Sequence, residues 1–222
     1  MNNLSSENAA TLQKLNEFFI SRSVPAFLVG GYLRDALRGI PSVDIDIAVQ
    51  GDALSLAKDI ADTLSASYVP LSPSHKVGRI ATPPVRGENR NGSIIDDLPR
   101  RDFSVDALAL ALEKWDTPSW QESILDPFGG RSDLSRGVIR AIKSSVFQED
   151  PARLLRGVRL AAKLGFKIHP STARLITRDA HLILSASGER VRDEFLANLS
   201  LDGAKVHLET LDELGLLCCI IS

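Results

Sequence analysis

Apolar residues near the start of the chain recur at helical spacing. Leu12, Leu15, Phe18 and Phe19 share one face and predict a helix from about Leu4 to Ile20. The period then changes. "AFLVGG" (26–31) is a short apolar run stopped by two glycines, which predicts a strand entering a tight turn. "YLRDALRG" predicts a short helix closed by Gly39, and "VDIDIAV" (43–49) predicts a buried strand. "DALSLAKDIADTLSA" reads as an amphipathic helix with Asp52 as its N-cap, and "SYVPLS" reads as another strand. Residues 73–95 look least ordered, because Pro73, Pro83, Pro84, Gly78, Gly87 and Gly92 interrupt every period. From "VDALALAL" to "GVIRAI" the pattern returns to strands and turns.

Character changes after about residue 145. "DPARLLRGVRLAAKLGF", "STARLITRDAHLILSA", "SGERVRDEFLANL" and "GAKVHLETLDELGLL" predict four consecutive helices, opening on Asp150, Ser171, Ser187 and a glycine. The expectation is an α+β chain with two units, residues 1–145 carrying a mixed sheet and residues 146–222 all-helical.

Composition narrows the class. Apolar content of 44% and charged content of 24% are ordinary for a soluble globular protein, and no apolar run is long enough to span a membrane. Cys218 and Cys219 are adjacent, so they form neither a disulfide framework nor a metal quartet, which points to a reducing, cytoplasmic setting. The net charge of −2 gives no sign of nucleic acid, yet residues 131–178 hold eight arginines and three lysines, enough for a local basic face.

The candidate chemistry begins at Asp44 and Asp46. In a strand, residues i and i+2 point the same way, so these carboxylates project together while Val43, Ile45 and Ile47 face the core. Adjacent carboxylates repel, and a divalent cation such as Mg²⁺ removes the conflict while also binding phosphates. The alternative is a solvated strand end or a surface turn. Upstream, Gly30 and Gly31 sit between a strand and a helix, where backbone N–H groups can approach an anion closely. "DPFGG" (126–130) reads as a turn that Asp133 braces, and the four histidines show no metal spacing.

These segments together resemble a known family. "LVGGYLRDALRG" with "SVDIDIAV", "DDLPRRDFSVDALAL", "ILDPFGGRSDLSRGVIRAI", "FQEDPARLLRGVRLAAKLGF" and "SGERVRDEF" are similar, in order, to the five motifs of class II tRNA nucleotidyltransferases and bacterial poly(A) polymerases. The resemblance implies a polymerase β-like nucleotidyltransferase head and a helical, nucleotide-recognising neck. It implies that Asp44 and Asp46 hold catalytic Mg²⁺, and that Gly30, Gly31 and Arg34 line a triphosphate site. Arg100, Arg101 and Asp102 would contact triphosphate and ribose, and Asp150 with Arg153 would read the incoming base. That last role agrees with geometry, since helical positions i and i+3 share a face, and an acceptor beside a guanidinium can pair with a base edge. An N-capping Asp150 in an intrahelical ion pair is the plainer reading. Arg156 and Arg159 would be phosphate contacts or a solvated face. In "SGERVRDE", Glu189 and Arg190 read either as a capping arrangement or as a brace for the nucleotide-binding helix.

The implied reaction adds CMP or AMP from CTP or ATP to an RNA 3′ end, in tRNA above all. Poly(A) synthesis, A-only addition and an inactive nucleotide-binding remnant stand as alternatives. Three departures from the family bear on them. Asp106 stands where the family usually has Asn. "GRIATPPVRGENRNG" offers no clear counterpart of the strand that often carries a further acid, with Glu88 a poor candidate. The chain stops at "LDELGLLCCIIS", without the body and tail that grip tRNA, so tRNA affinity is expected to be reduced. There "GLLCCII" would expose apolar surface through which copies could associate.

Overall fold

The computed structural model describes residues 6–42, 44–50, 56, 59–62, 67–72, 77–81, 85–90 and 93–221. The chain folds into two compact units, residues 1–100 with 106–127, and residues 101–105 with 128–222. It therefore passes from one to the other after residues 100, 105 and 127. The change of character expected near residue 145 falls inside the second unit.

The first unit is built on a mixed sheet. Its strands β1 (Ala26–Val29), β2 (Ile45–Gln50), β3 (Ser67–Ser72), β4 (Val77–Ala81), β5 (Val85–Arg90) and β6 (Ala109–Ala111) lie in the order β3-β4-β5-β2-β1-β6. β2 runs parallel to β5, and the other ladders are antiparallel. The helix Ser6–Ser21 covers the sheet through the residues its period selected: Leu12, Leu15, Phe18 and Phe19 are all buried and pack with Leu28, Ile45 and Ile47. Each such side chain contributes roughly 1.5–3 kcal/mol by leaving water.

Two strands occupy the stretch that looked least ordered. β5, "VRGENR", has little strand propensity of its own, and its conformation comes from being laddered on both sides, by β2 and by β4. The prolines that obscured it, Pro83 and Pro84, fall in sequence between β4 and β5. The predicted N-cap Asp52 and Val43 lie outside the described residues.

One core group is anomalous. Tyr32 is buried to 1% exposure, and its hydroxyl has no hydrogen-bond partner among the described residues. Burial pushes its pKa well above the usual tyrosine range. A buried unmade hydrogen bond costs about 1–3 kcal/mol. Tyr32→Phe is therefore expected to keep or raise the thermal unfolding midpoint, and a clear fall in calorimetry would show that the hydroxyl is satisfied.

The second unit is largely helical. "RSDLSR", expected among strands and turns, lies in a helix, Gly130–Arg136, bounded by Gly129 and Gly137, both at positive φ. β7 (Val138–Ile139) pairs in parallel with β8 (Lys167–Ile168). The helices Arg153–Leu164, Pro170–Asp179, Gly188–Leu199 and Ala204–Glu213 follow the four predicted segments, with a short Leu217–Ile221 helix beyond. Ser187 is an N-cap as expected, but Ser171 is not. His169 caps that helix by accepting the Ser171 N–H at 3.2 Å, because Pro170 takes the first helical position. Among the described residues no helix is long and apolar enough to cross a membrane.

Candidate functional site

In the first unit, β2 sits between β1 and β5, and its alternation is the one its sequence implies. Ile45 and Ile47 are almost wholly buried, Asp46 is half-buried, and Asp44 is exposed at the strand's entrance. The approach is anchored from the N-terminal helix, where Asn8 donates to the Ser42 carbonyl at 2.7 Å. Along the ladder with β5, Asp46 stands opposite Arg86 and Ala48 opposite Glu88. The strand beside the aspartates is therefore present, with position 88 on it.

Two carboxylates two positions apart, Asp46 on β2 and Asp44 just before it, suit a hard divalent cation such as Mg²⁺. Among the described residues no three His, Cys, Asp or Glu side chains converge as a metal cage. Mg²⁺ held by carboxylates commonly completes its shell with water and substrate phosphate oxygens.

The Gly30–Gly31 turn leads β1 into the helix Gly30–Leu37, with Gly30 at φ 62°. Arg34 lies beneath that turn rather than on its surface. Its guanidinium donates from Nε and Nη2 to the two oxygens of Asp35, at 2.8 and 2.9 Å, and from Nη1 to Asp106 at 2.6 Å. The Arg34 and Asp106 side chains are 6% and 5% exposed. Burial alone would weaken the Arg34 charge, but Asp106 and Asp35 more than offset it and raise the pKa above the ordinary arginine value. Asp106, the residue that looked out of place, is thereby matched to a buried cation.

In the second unit, residues 102–104 are each held by specific contacts. Asp102 Oδ2 accepts from Arg156 Nε at 2.6 Å, while its Oδ1 accepts the Phe103 N–H. Phe103 bridges to Ala141, and its ring lies over Gly157. Ser104 donates its hydroxyl to Asp133, which also takes a two-pronged contact from Arg140. Asp133 thus braces residues 101–105 through Ser104, whereas the sequence assigns it to the 126–130 turn.

The helix Arg153–Leu164 carries the other candidates. Asp150 precedes it, accepting the Ala152 N–H and lying 3.7 Å from Arg153 Nε. Its strongest partner is Arg190, which the sequence suggests only as a general brace for this helix: it donates to both oxygens of Asp150, at 2.9 and 2.7 Å. Burial opposes ionisation of Asp150, but the Arg190 bonds and the Arg190 and Arg153 charges outweigh it and hold its pKa below the usual value. The carboxylate keeps free lone pairs, so a planar, oriented acceptor remains for a ligand. Arg159 is paired with Glu194 at 2.6 Å. Both acid and base partners come from "ERVRDE", where the charges at 190 and 194 fall one helical turn apart. That spacing was the available signal.

The candidates therefore form two sets. Asp44, Asp46, Gly30, Gly31, Arg34 and Arg100 belong to the first unit, with Arg100 exposed. Arg101, Asp102, Asp150, Arg153, Arg156 and Arg159 belong to the second. Asp150 with Arg153 and Arg190 makes one cluster there, and Asp102 with Arg156 another.

Comparison with known proteins is consistent across the chain. Residues 75–140 match the family described as "Poly A polymerase head domain", and residues 165–221 match "Probable RNA and SrmB- binding site of polymerase A". An A-adding tRNA nucleotidyltransferase of Halalkalibacterium halodurans is 35% identical over 189 residues, 78% of this chain and 43% of that protein. A CC-adding tRNA nucleotidyltransferase of Geobacter sulfurreducens is 38% identical over 187 residues, 81% of this chain and 41% of that protein. Among solved structures, the Thermotoga maritima CCA-adding enzyme complexed with tRNA superposes with a TM-score of 0.85 at 28% identity, covering 97% of this chain and 52% of that one. The chain thus spans less than half the length of these two curated relatives.

Proposed function

The chain belongs to the tRNA nucleotidyltransferase and poly(A) polymerase family, and from that premise we propose that it transfers CMP or AMP from CTP or ATP to the 3′ end of an RNA, in tRNA above all. The observation that carries this is the Asp44–Asp46 pair at the start of β2, whose Ile45 and Ile47 are buried. Those carboxylates would hold Mg²⁺, which when bound would help activate the RNA 3′ hydroxyl and stabilise the departing pyrophosphate. The rest is positioning. The Gly30–Gly31 backbone faces the triphosphate, and Arg101 with Asp102 holds triphosphate and ribose. Asp150, oriented by Arg190, and Arg153 present an acceptor and a donor to the base edge. No covalent enzyme intermediate is needed. A cytoplasmic location accords with a tRNA substrate.

Similarity extends to A-adding and CC-adding relatives alike, so the choice between CMP and AMP rests with the assay. Each NTP is offered separately to tRNA ending before, within and after CCA. Incorporation of CMP, AMP or both onto incomplete ends is expected, and its pattern assigns the branch. A long A-tract on any RNA would instead assign poly(A) synthesis. Magnesium-dependent NTP binding without incorporation on any RNA would identify an inactive remnant. Two grounds for that last reading are weaker than they looked: a strand does lie beside the aspartates, and Asp106 is paired with Arg34.

A further inference from the structure

Arg34 is unusual among the cationic candidates in being almost completely buried and gripped from two sides. Its position relative to the turn is close. A Cβ placed on Gly31 would stand 3.3 Å from Arg34 Nη2, so the guanidinium lies immediately below the backbone of that glycine. Arg34 pairs with Asp35 and Asp106, and Arg38 Nη1 lies 3.9 Å from Asp35. A neutral residue at 106 would leave the charge directly under Gly31 one unit more positive.

We propose that Asp106 is a positioning residue that sets the charge beneath the Gly30–Gly31 turn: it fixes Arg34 under Gly31 and cancels the attraction that Arg34 would otherwise exert on a nucleotide triphosphate. The inference rests on the reading of that turn as the triphosphate site. Its consequence is that backbone N–H groups and Asp-bound cation, rather than Arg34, hold the triphosphate in this chain. Arg34 is left as a buried strut between the turn helix and residue 106. One unit charge under the turn, acting on a multiply charged anion through partly buried surroundings, is enough to change affinity several-fold. Its effect must shrink with ionic strength where solvent reaches the pair.

The experiment measures binding of MgATP, and of inorganic tripolyphosphate with Mg²⁺, to the intact chain by calorimetry. Asp106→Asn keeps an oxygen that can accept from Arg34 while removing the charge. It is expected to tighten both ligands about three- to tenfold at low salt, with the gain largely lost at 0.5 M salt, roughly where the screening length falls to a few ångströms. In turnover the change should appear in KM rather than kcat. Arg34→Gln alone removes one positive charge and should weaken both ligands. The double variant, Arg34→Gln with Asp106→Asn, restores the wild-type charge sum and should return to wild-type affinity, which a purely structural role would not produce. Should Asp106→Asn not fold, the order of wild type, Arg34→Gln and the double variant still decides. Affinities that ignore this charge order overturn the proposal alone, provided wild type binds triphosphate. A wild-type chain that binds neither ligand overturns the assignment of the turn itself.

Discussion

Replacing Asp44 and Asp46 together by alanine is expected to reduce incorporation of labelled CTP or ATP into tRNA lacking its 3′ end to below roughly a thousandth of the wild-type rate. The reasoning is chemical. Phosphoryl transfer gains its rate from placing the attacking hydroxyl and neutralising charge on the oxygens around the α-phosphate, and these two carboxylates are the groups proposed to hold the cation that does so. The core should tolerate the change. Asp44 is exposed and Asp46 half-buried, whereas Ile45 and Ile47 supply the strand's apolar contacts and are untouched. The unfolding midpoint is therefore expected to stay near that of wild type, separating lost chemistry from lost fold. Adding excess Mg²⁺ or Mn²⁺ should not restore the rate. Undiminished incorporation by the folded double variant would remove the catalytic assignment.

The largest expected effect on stability lies at Gly157. In most helix interiors Gly→Ala is favourable by about 0.5–1 kcal/mol, because alanine loses less backbone freedom on folding. Here the sign reverses. A Cβ on Gly157 would lie 2.9 Å from Phe103 Cζ and 3.3 Å from its Cε1. The Phe103 ring is fully buried, with Phe147 6.4 Å away centroid to centroid, so it has little room to yield. Overpacking of this kind costs about 1–3 kcal/mol. Gly157→Ala is expected to lower the thermal midpoint by several degrees, and Gly157→Val by more. Gly188→Ala is the control, since nothing lies within 4 Å of its added Cβ and its φ is not in the left-handed region. A stabilised Gly157→Ala protein would show that Phe103 does not pack as described.

Much of the architecture is legible in the chain because local signals and tertiary context agree. The helical face Leu12–Leu15–Phe18–Phe19, the strand–GG–helix turn and the alternating aspartates each contain their own explanation. β5 is different. "VRGENR" is a strand only because it fills the place between β2 and β4, and nothing within six residues records that neighbourhood. The site divides the same way. The positions of Asp44 and Asp46 follow from a period of two. The partners Arg34–Asp106, Asp102–Arg156 and Asp150–Arg190 are separated by 72, 54 and 40 residues, and only folding brings each pair together. Asp106 shows what this conceals: a charge that looks misplaced in sequence has its counterion far away along the chain.

The pentapeptide 101–105 sets a rule for recombination. It is encoded amid the first unit, yet it is spliced into the second through Phe103, Ser104 and Asp102. A chimaera joined once, near residue 127, would seat one parent's Phe103 on the other parent's helix, and would match one parent's Asp102 with the other's Arg156. Swapping these modules between relatives therefore calls for two inserts, the pentapeptide travelling with residues 128–222. A gene for residues 128–222 alone would yield a helical body lacking the plug that closes it.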